Sequence, residues 1–230
     1  MDSFKDSLQH VLAEVERLDL LIRVQVWRAR QAPADNLQPY YISDQEVDTL
    51  LEKPLGIPLW ALPPLPTDVQ QNVQQALDQK AEQIAAQKAA SLSQGVALRL
   101  DSLVRQFGLE QFDQDALLVC LAPEIDLRYG RLFAYLQDEI SRTNPSVDLA
   151  LNLLCTTLEE KISRQERFTA DAPLRGWNLL QFWPAPAGGE PPLLARSLKV
   201  DERIRRYLLG NDDPDEALLD LVELSVGAAD

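Results

Sequence analysis

Residues 178–200 read NLLQFWPAPAGGEPPLLARSLKV, and this stretch decides the fold class. Two short apolar runs, residues 178–183 and 193–200, have the composition of strands. Between them, PAPAGGEPP is too rich in proline and glycine to be helical and predicts a turn. The stretch therefore predicts a two-stranded ribbon. Three aromatic residues flank or form it, and we expect them to lie in the core rather than on a contact surface: Trp177, Phe182 and Trp183.

The chain before the ribbon has the pattern of short, dense amphipathic helices. We predict five of them, over residues 97–108, 111–122, 126–140, 146–155 and 157–168. Ser146, which follows Asn144-Pro145, and Thr157 are suited to cap the last two. Short helices followed by a two-stranded ribbon are the order of a winged-helix domain. The sequence therefore predicts a mainly α fold with a small β-wing, and a winged-helix-like domain over residues 96–210.

The junction LAPEIDLRYGRLFAYL, residues 121–136, concentrates charged side chains between two apolar runs. It could be a catalytic pocket, a phosphate clamp or a folding device. Pro123 is expected to end one helix and Asp126 to cap the next. Arg128 and Arg131 would then form ion pairs that fix the angle between the two helices, with Glu124, Asp126 or Asp138. We therefore interpret the stretch as a joint between helices.

The N-terminal part predicts a long helical hairpin, assigned to residues 1–95. Residues 3–31 carry apolar residues at alternating steps of four and three, as in a coiled-coil seam: Phe4, Leu8, Val11, Val15, Leu18 and Ile22. A second helix should begin with Thr67 as its N-cap and end at Gly95. Its thinner seam should lie on the first one, through Val73, Leu77 and Ile84.

The segment between these helices, residues 32–66, contains a short helix opened by Ser43 or Asp44 and then KPLGIPLWALPPLP, residues 53–66. Five prolines prevent a regular helix there, so this piece should run extended over the surface or a neighbour. Its apolar residues Trp60, Leu62 and Leu65 form a candidate protein-binding strip. The alternative is that they simply cover the hairpin.

The charge balance bears on the class of partner. Lys and Arg number 22 against 36 Asp and Glu, which gives a net charge of -14. Such a surface repels phosphate backbones and anionic membranes, so nucleic acid is an unfavoured partner. Every charged residue in residues 211–230 is an Asp or a Glu. We assign this segment to an acidic helix or linker, with Pro214 at the first helical position. An apolar run long enough for a membrane span is absent from the sequence, and we expect a cytoplasmic protein.

The residues that usually carry chemistry are sparse. His10 stands alone, as an ordinary surface or partly packed residue, so neither a His-based metal site nor a catalytic triad is expected. Cys120 and Cys155 lie in apolar contexts and are expected to be structural thiols. Glycine never precedes a Lys-Ser or Lys-Thr pair, so the sequence holds no phosphate-binding loop. Three pairs of carboxylates could in principle serve as general acid and base. A place at a helix end or on a solvent-exposed helix face explains them better: Asp113 with Asp115 in a first helical turn, Glu124 with Asp126, and Asp138 with Glu139.

Three runs together resemble a known family: residues 103–155, then FTADAPLRGWNLL, then PPLLARSLKVDERIRRYLLG. They are similar to the winged-helix region that precedes the ATPase module in a family of bacterial AAA+ ATPases, some of them encoded beside phage-tail-like contractile injection systems. YYISDQEVDTLLEKP and the RLDLLIRVQVWRAR helix also resemble that family, so the likeness covers about residues 15–209. In the family an ATP- and magnesium-dependent module follows, whereas this sequence stops at Asp230. No ATPase residue can be carried over.

The resemblance implies a non-catalytic region that recruits protein substrates or partners for an AAA+ engine in cis, with no cofactor of its own and with oligomerisation through the parent ATPase. Two alternatives stay open. One is a winged-helix regulator that binds nucleic acid, although the predicted helices and turn offer few basic residues free of interleaved acids. The other is a helical oligomerisation module that works through the Phe4 to Ile22 seam.

Overall fold

The computed structural model describes residues 3–31, 44–61, 65–184 and 189–211. Its N-terminal helix α1 spans Ser7–Gln31, a short helix α2 spans Asp44–Glu52, and a second long helix, α3, spans Thr67–Ser93. The two long helices run antiparallel, because Lys80 Nζ lies 2.7 Å from Glu16 Oε2 and the Phe4 amide donates to Ser91 Oγ at 2.8 Å. The predicted hairpin is present. The predicted cap is wrong by one position, since Pro66 precedes the helix and no side chain caps it.

The strong seam of α1 does not lie mainly on α3. Phe4 packs with Ile84 and Leu98 in a small cluster, whereas Val11, Val15, Leu18 and Ile22 lie in the main core. That core is formed with the helices that follow α3, so it crosses the boundary predicted between residues 95 and 96. The division into 1–95, 96–210 and 211–230 stays a prediction. The buried part of the Phe4 to Ile22 seam is occupied within the chain, which argues against oligomerisation through it.

Five helices follow α3 in the order expected: α4 Arg99–Phe107, α5 Gln111–Ile125, α6 Arg128–Leu136, α7 Val147–Leu154 and α8 Leu158–Arg164. A 3₁₀ turn, Gln165–Phe168, extends α8, and a four-residue helix α9, Pro173–Gly176, was not predicted. α5 is the central helix, since each residue from 112 to 122 is buried. Cys120 and Cys155 are both buried and unbridged.

The ribbon has the predicted strands, β1 Leu180–Phe182 and β2 Leu198–Val200, paired antiparallel with Leu180 opposite Val200. Residues 193–195 form a 3₁₀ turn rather than a strand. An antiparallel bridge between Ser146 and Ser197 adds a third strand position just before α7. After β2, α10 spans Glu202–Leu208, and the side chain of Asp201 at its N-cap accepts from the Arg203 amide at 3.0 Å. The helices and the small antiparallel ribbon confirm the mainly α, winged-helix fold class.

The helix joint at residues 121–136 differs in detail from the prediction. Pro123 does not end α5, which continues to Ile125; so close to the C-terminal end, a proline costs only one helical hydrogen bond. Leu127, not Asp126, occupies the cap position of α6, although Asp126 Oδ1 accepts from the Arg128 amide at 2.9 Å. Arg128 pairs with Asp126 and also, at 3.6 Å, with Asp19 of α1. For Arg131 the described part of the chain offers no ion pair.

Two other expectations are wrong. Asp138 and Glu139 do not lie on a helical face, because α6 ends at Leu136 and Asp138 takes the left-handed conformation, with φ 51°. His10 is neither exposed nor partly packed. It is 2% exposed, with its ring 5.2 Å from that of Phe4, because the face of α1 that carries it is covered.

Candidate interaction surface

α7, a three-residue turn and α8 form a helix-turn-helix pair, the unit in which the second helix reads the major groove in DNA-binding proteins. Both helices begin where the sequence predicts. Ser146 Oγ accepts from the Leu149 amide, and Thr157 Oγ1 accepts from the Glu160 amide, each at 3.1 Å. The chemistry of α8 and its 3₁₀ extension therefore decides whether the pair can bind a phosphate backbone.

The basic residues at the end of this pair are turned towards α5. Arg167 donates through Nε to Asp113 Oδ1 at 2.8 Å and through Nη2 to Asp113 Oδ2, and the Asp113 side chain is fully buried. Asp113 Oδ2 also accepts from the Glu110 amide at 3.0 Å, which closes a capping box at the start of α5. Arg164 pairs with Glu110 as well. Hydrogen bonds to these carboxylates raise the pKa of both guanidinium groups and hold them in place.

The remaining cation of α8 is also engaged. Lys161 Nζ donates to Asn152 Oδ1 of α7 and to the carbonyl oxygen of Gly56. Burial lowers the pKa of its ammonium group, which an unpaired surface lysine would not experience. The three basic side chains of α8 and its extension thus make internal contacts, while Glu159 and Glu166 are exposed.

Gly56 belongs to residues 53–61, which lie across α8 and α1 and are called the 53–61 strap here. Its φ of +74° favours glycine, and a Cβ atom at this position would press on the Leu158 side chain, which would have to shift. At the other end of the strap, Arg28 of α1 donates to the Ala61 carbonyl. The strap therefore covers part of the helix that would face nucleic acid.

An exposed apolar surface that was not predicted from the sequence runs from α2 into the first residues of the strap. Helix α2, Asp44–Glu52, and the turn after it leave five aliphatic side chains in solvent, the 47–57 strip: Val47, Leu50, Leu51, Leu55 and Ile57. Leu51 and Leu55 are 79% and 84% exposed. The i, i+3, i+4 spacing of Val47, Leu50 and Leu51 could have revealed one face of this helix. Contiguous exposed apolar side chains mark protein contact surfaces more often than isolated ones do.

The structure describes two of the three residues of the predicted protein-binding strip, Trp60 and Leu65. Trp60 is half-buried and packs against the main core, and Leu65 is half-buried. Leu62 lies outside the described residues. Binding of a protein partner by these residues stays a prediction.

The wing forms a second candidate surface. Trp183 is 49% and Trp177 61% exposed, so the expectation that they are core residues is wrong, while Phe182 is half-buried. Beside them lies an open cleft of about 950 Å³, walled by β1 and by the chain before β2. The guanidinium carbon of Arg175 lies 3.9 Å from the centre of the Phe182 ring and that of Arg196 lies 5.0 Å from it. The prediction from the sequence rested on the turn alone, which has one Glu and no basic residue, so these flanking arginines were missed.

Asp113 and Asp115, one of the three carboxylate pairs, form ion pairs within the fold. Asp113 is in the first turn of α5 as expected, but Asp115 lies beyond that turn and pairs with Arg17 of α1. Within the described ranges, no group of three or more His, Cys, Asp or Glu residues is arranged to hold a metal ion. Among the described helices, none combines the length and apolar character needed to cross a membrane.

Comparison with known proteins agrees with this architecture. Searches of curated proteins and of solved structures found no match. A family model described as "Winged helix domain, variant" matches residues 1–222, which include the long hairpin as well as the helix-turn-helix pair and the wing. The chain belongs to this variant winged-helix family.

Proposed function

We propose that this winged-helix region is non-catalytic and recruits protein partners rather than nucleic acid. The observation that carries the proposal is the internal engagement of Lys161, Arg164 and Arg167. A DNA-binding winged helix needs such cations free to neutralise phosphates, because phosphate contacts supply most of the affinity. The net charge of -14 adds a long-range repulsion of polyanions.

The surface offered to a protein is the 47–57 strip. Its leucines are exposed at one side of the 53–61 strap, which anchors them to α1 and α8 through Arg28 and Lys161. A partner would bury these side chains, and a fully buried leucine contributes about 2 kcal/mol of transfer free energy. Anchoring through two independent contacts lowers the ordering cost of binding.

The resemblance of residues 15–209 to the region that precedes an AAA+ module supports a more specific proposal. The winged helix would present protein substrates or partners to an ATP-driven remodelling module in cis, in some settings a component of a contractile injection system. ATP and magnesium would then bind to that module and not to these 230 residues.

Affinity capture from a lysate of the source cells tests the proposal. We expect the double variant Leu51→Ser, Leu55→Ser to lose at least tenfold of the proteins captured by the unchanged chain. The matched control is Leu127→Ser, which alters a leucine that is 82% exposed at the joint between α5 and α6. Equal capture by all three chains would contradict a role for the strip. Capture that nuclease treatment abolishes would favour the nucleic-acid alternative.

A further inference from the structure

The exposed apolar surface of the 47–57 strip continues onto helix α8. Leu158, the first residue of α8, lies against Gly56, which stands between Leu55 and Ile57 in the strap. Ile162 follows Leu158 one turn later on the same face of α8 and is 59% exposed. The apolar surface therefore passes from α2 through the strap to Ile162, so two helices and the turn between them contribute to it.

Carboxylates border this surface on both helices. Asp48 and Glu52 stand one turn apart on α2, on the side next to Leu51. Glu159 precedes Ile162 by three residues, so the two are neighbours on the surface of α8. All three acids are exposed, and none of them forms an ion pair or a side-chain hydrogen bond with another described residue.

The lysines of the strap and α8 do not compensate these acids. Lys53 Nζ donates to the carbonyl oxygen of Ile57 at 2.7 Å. Lys161 Nζ donates to the carbonyl oxygen of Gly56 and to Asn152 Oδ1. Both ammonium groups are thus held by neutral oxygens of the chain, and the carboxylates beside the apolar surface face solvent without an ion pair.

The secondary structure of the surface favours a helix as its occupant. The described residues that form it belong to two helices and a turn and present no strand edge, so an extended peptide cannot add to it by backbone pairing. Side chains at helical spacing instead form ridges that pack against those of another helix. Exposed acids beside aliphatic side chains are matched by Lys or Arg beside an apolar stripe.

We infer that the 47–57 strip and Ile162 together bind a basic amphipathic helix of a partner protein, a step that rests on the proposed recruitment of proteins. Two synthetic helical peptides of about 18 residues, or five turns, test the fit. Both carry leucines at i, i+3, i+4 and i+7, and their polar positions are Lys and Gln in one and Glu and Gln in the other. By fluorescence anisotropy at physiological salt, the full chain should bind the lysine peptide about tenfold more tightly than the glutamate peptide.

Matched charge variants separate a local contact from the general attraction of an acidic protein for a cation. Asp48→Asn with Glu52→Gln should weaken binding of the lysine peptide about fivefold, as expected for the loss of two exposed ion pairs. The control, Asp78→Asn with Glu82→Gln, removes the same charges at the same spacing from exposed positions of α3 and should leave the affinity unchanged. Equal affinities of the two variants, or equal binding of both peptides by the unchanged chain, would overturn the inference.

A second pair of variants tests the contribution of α8. Ile162→Ser should weaken binding of the lysine peptide several-fold, because the peptide would bury this side chain. The matched control is Ile140→Ser, which alters an isoleucine that is 96% exposed outside the proposed surface. Equal affinities of these two variants would contradict the continuation of the surface onto α8.

The capture experiment distinguishes failure of this inference from failure of the proposed recruitment. Capture that falls in Leu51→Ser, Leu55→Ser but is unchanged in Asp48→Asn, Glu52→Gln would overturn the basic helix and leave recruitment standing. Capture that does not depend on Leu51 and Leu55 would contradict recruitment itself. Sedimentation of the unchanged chain without peptide covers the remaining occupant, since a concentration-dependent dimer that Leu51→Ser, Leu55→Ser abolishes would assign the surface to a second copy and overturn the inference.

Discussion

Helices α3 and α5 differ sharply in how they are held, although both are strongly helical in sequence. α3 is 27 residues long, and Ile84 and Ser91 are its two buried residues. α5 is 15 residues long and is buried continuously from residue 112 to 122. α5 lies between α1, α6, α7 and β2, whereas α3 leans mainly on α1. The helical propensity of a segment therefore does not determine how many contacts hold the helix in place or how much the helix contributes to the free energy of unfolding. The position of the helix in the fold determines both.

The largest effect is expected where α5 meets the end of α8. Asp113→Ala removes a fully buried carboxylate and leaves Arg167, whose side chain is 15% exposed, without its main partner. Breaking a buried ion pair on one side costs about 3 to 5 kcal/mol. Urea denaturation followed by circular dichroism measures the loss. A change below about 1 kcal/mol, the range of exposed pairs, would mean that the pair contributes no more than a surface contact.

A matched pair of truncations compares the two helices directly. Leu117→Ala in α5 removes a side chain from the main core, where such changes cost about 3 kcal/mol or more, and it should destabilise the whole domain. Ile84→Ala in α3 should cost about 2 kcal/mol, near the low end for its class, because its cluster is small. Hydrogen exchange should show that the second change speeds exchange in α3 while α5 stays protected. Equal acceleration in both helices would contradict the difference in anchoring.

A smaller effect is expected at the joint between α5 and α6. Asp126→Ala removes the side chain that accepts from the Arg128 amide and pairs with the Arg128 guanidinium. Although Asp126 stands one residue before the cap position, its bond to an amide of the first turn is of the capping kind, so the free energy of unfolding should fall by about 1 kcal/mol. Partner capture should be unchanged. A loss of capture at full stability would place the joint in a binding site instead.

The smallest effect concerns pH at the contact between α1 and α3. Burial lowers the pKa of His10 below its ordinary 6.5. The positive charge of Lys88 lowers this pKa further, whereas the negative charges of Glu14 and Asp101 raise it by less than burial lowers it. The unfolded chain therefore takes up a proton first, and stability should fall as the pH drops through about 6.5, levelling off below the folded pKa. Comparing His10→Phe with the unchanged chain at pH 7.5 and 5.5 isolates this contribution. The same pH dependence in both would contradict it.

The sequence predicted much of the fold because its signals are local. Helix periodicity, the caps Ser146 and Thr157, and the proline-rich turn between two apolar runs all act within a few residues. These elements suffice for the fold class. The same local patterns could not show that α1 packs into the winged-helix core, because an apolar seam does not specify which surface covers it.

The candidate sites were less predictable. The pair of Asp113 with Arg167 joins residues 54 positions apart, and the contact of Lys161 with Gly56 spans 105. Both depend on the assembled fold, so the basic residues of α8 looked free in the sequence. Arg175 likewise became a candidate only when β1 placed Phe182 beneath it. At the joint of α5 and α6 the sequence pointed to Asp126, which accepts from the Arg128 amide, but it misplaced the cap position, which Leu127 occupies. The contact of Arg128 with Asp19 could not be predicted.

The central claim is that the three cations of α8 and its 3₁₀ extension are engaged within the fold, Arg164 and Arg167 by carboxylates and Lys161 by Asn152 and the Gly56 carbonyl. Fluorescence anisotropy of a labelled random duplex, titrated with the full chain from about 50 mM to about 200 mM salt, tests it most directly. We predict no saturable binding at any salt concentration up to about 100 µM protein, the weak end of non-specific affinities. Saturable binding that weakens steeply with salt, and that Lys161→Gln or Arg164→Gln reduces, would contradict the claim and restore the nucleic-acid function.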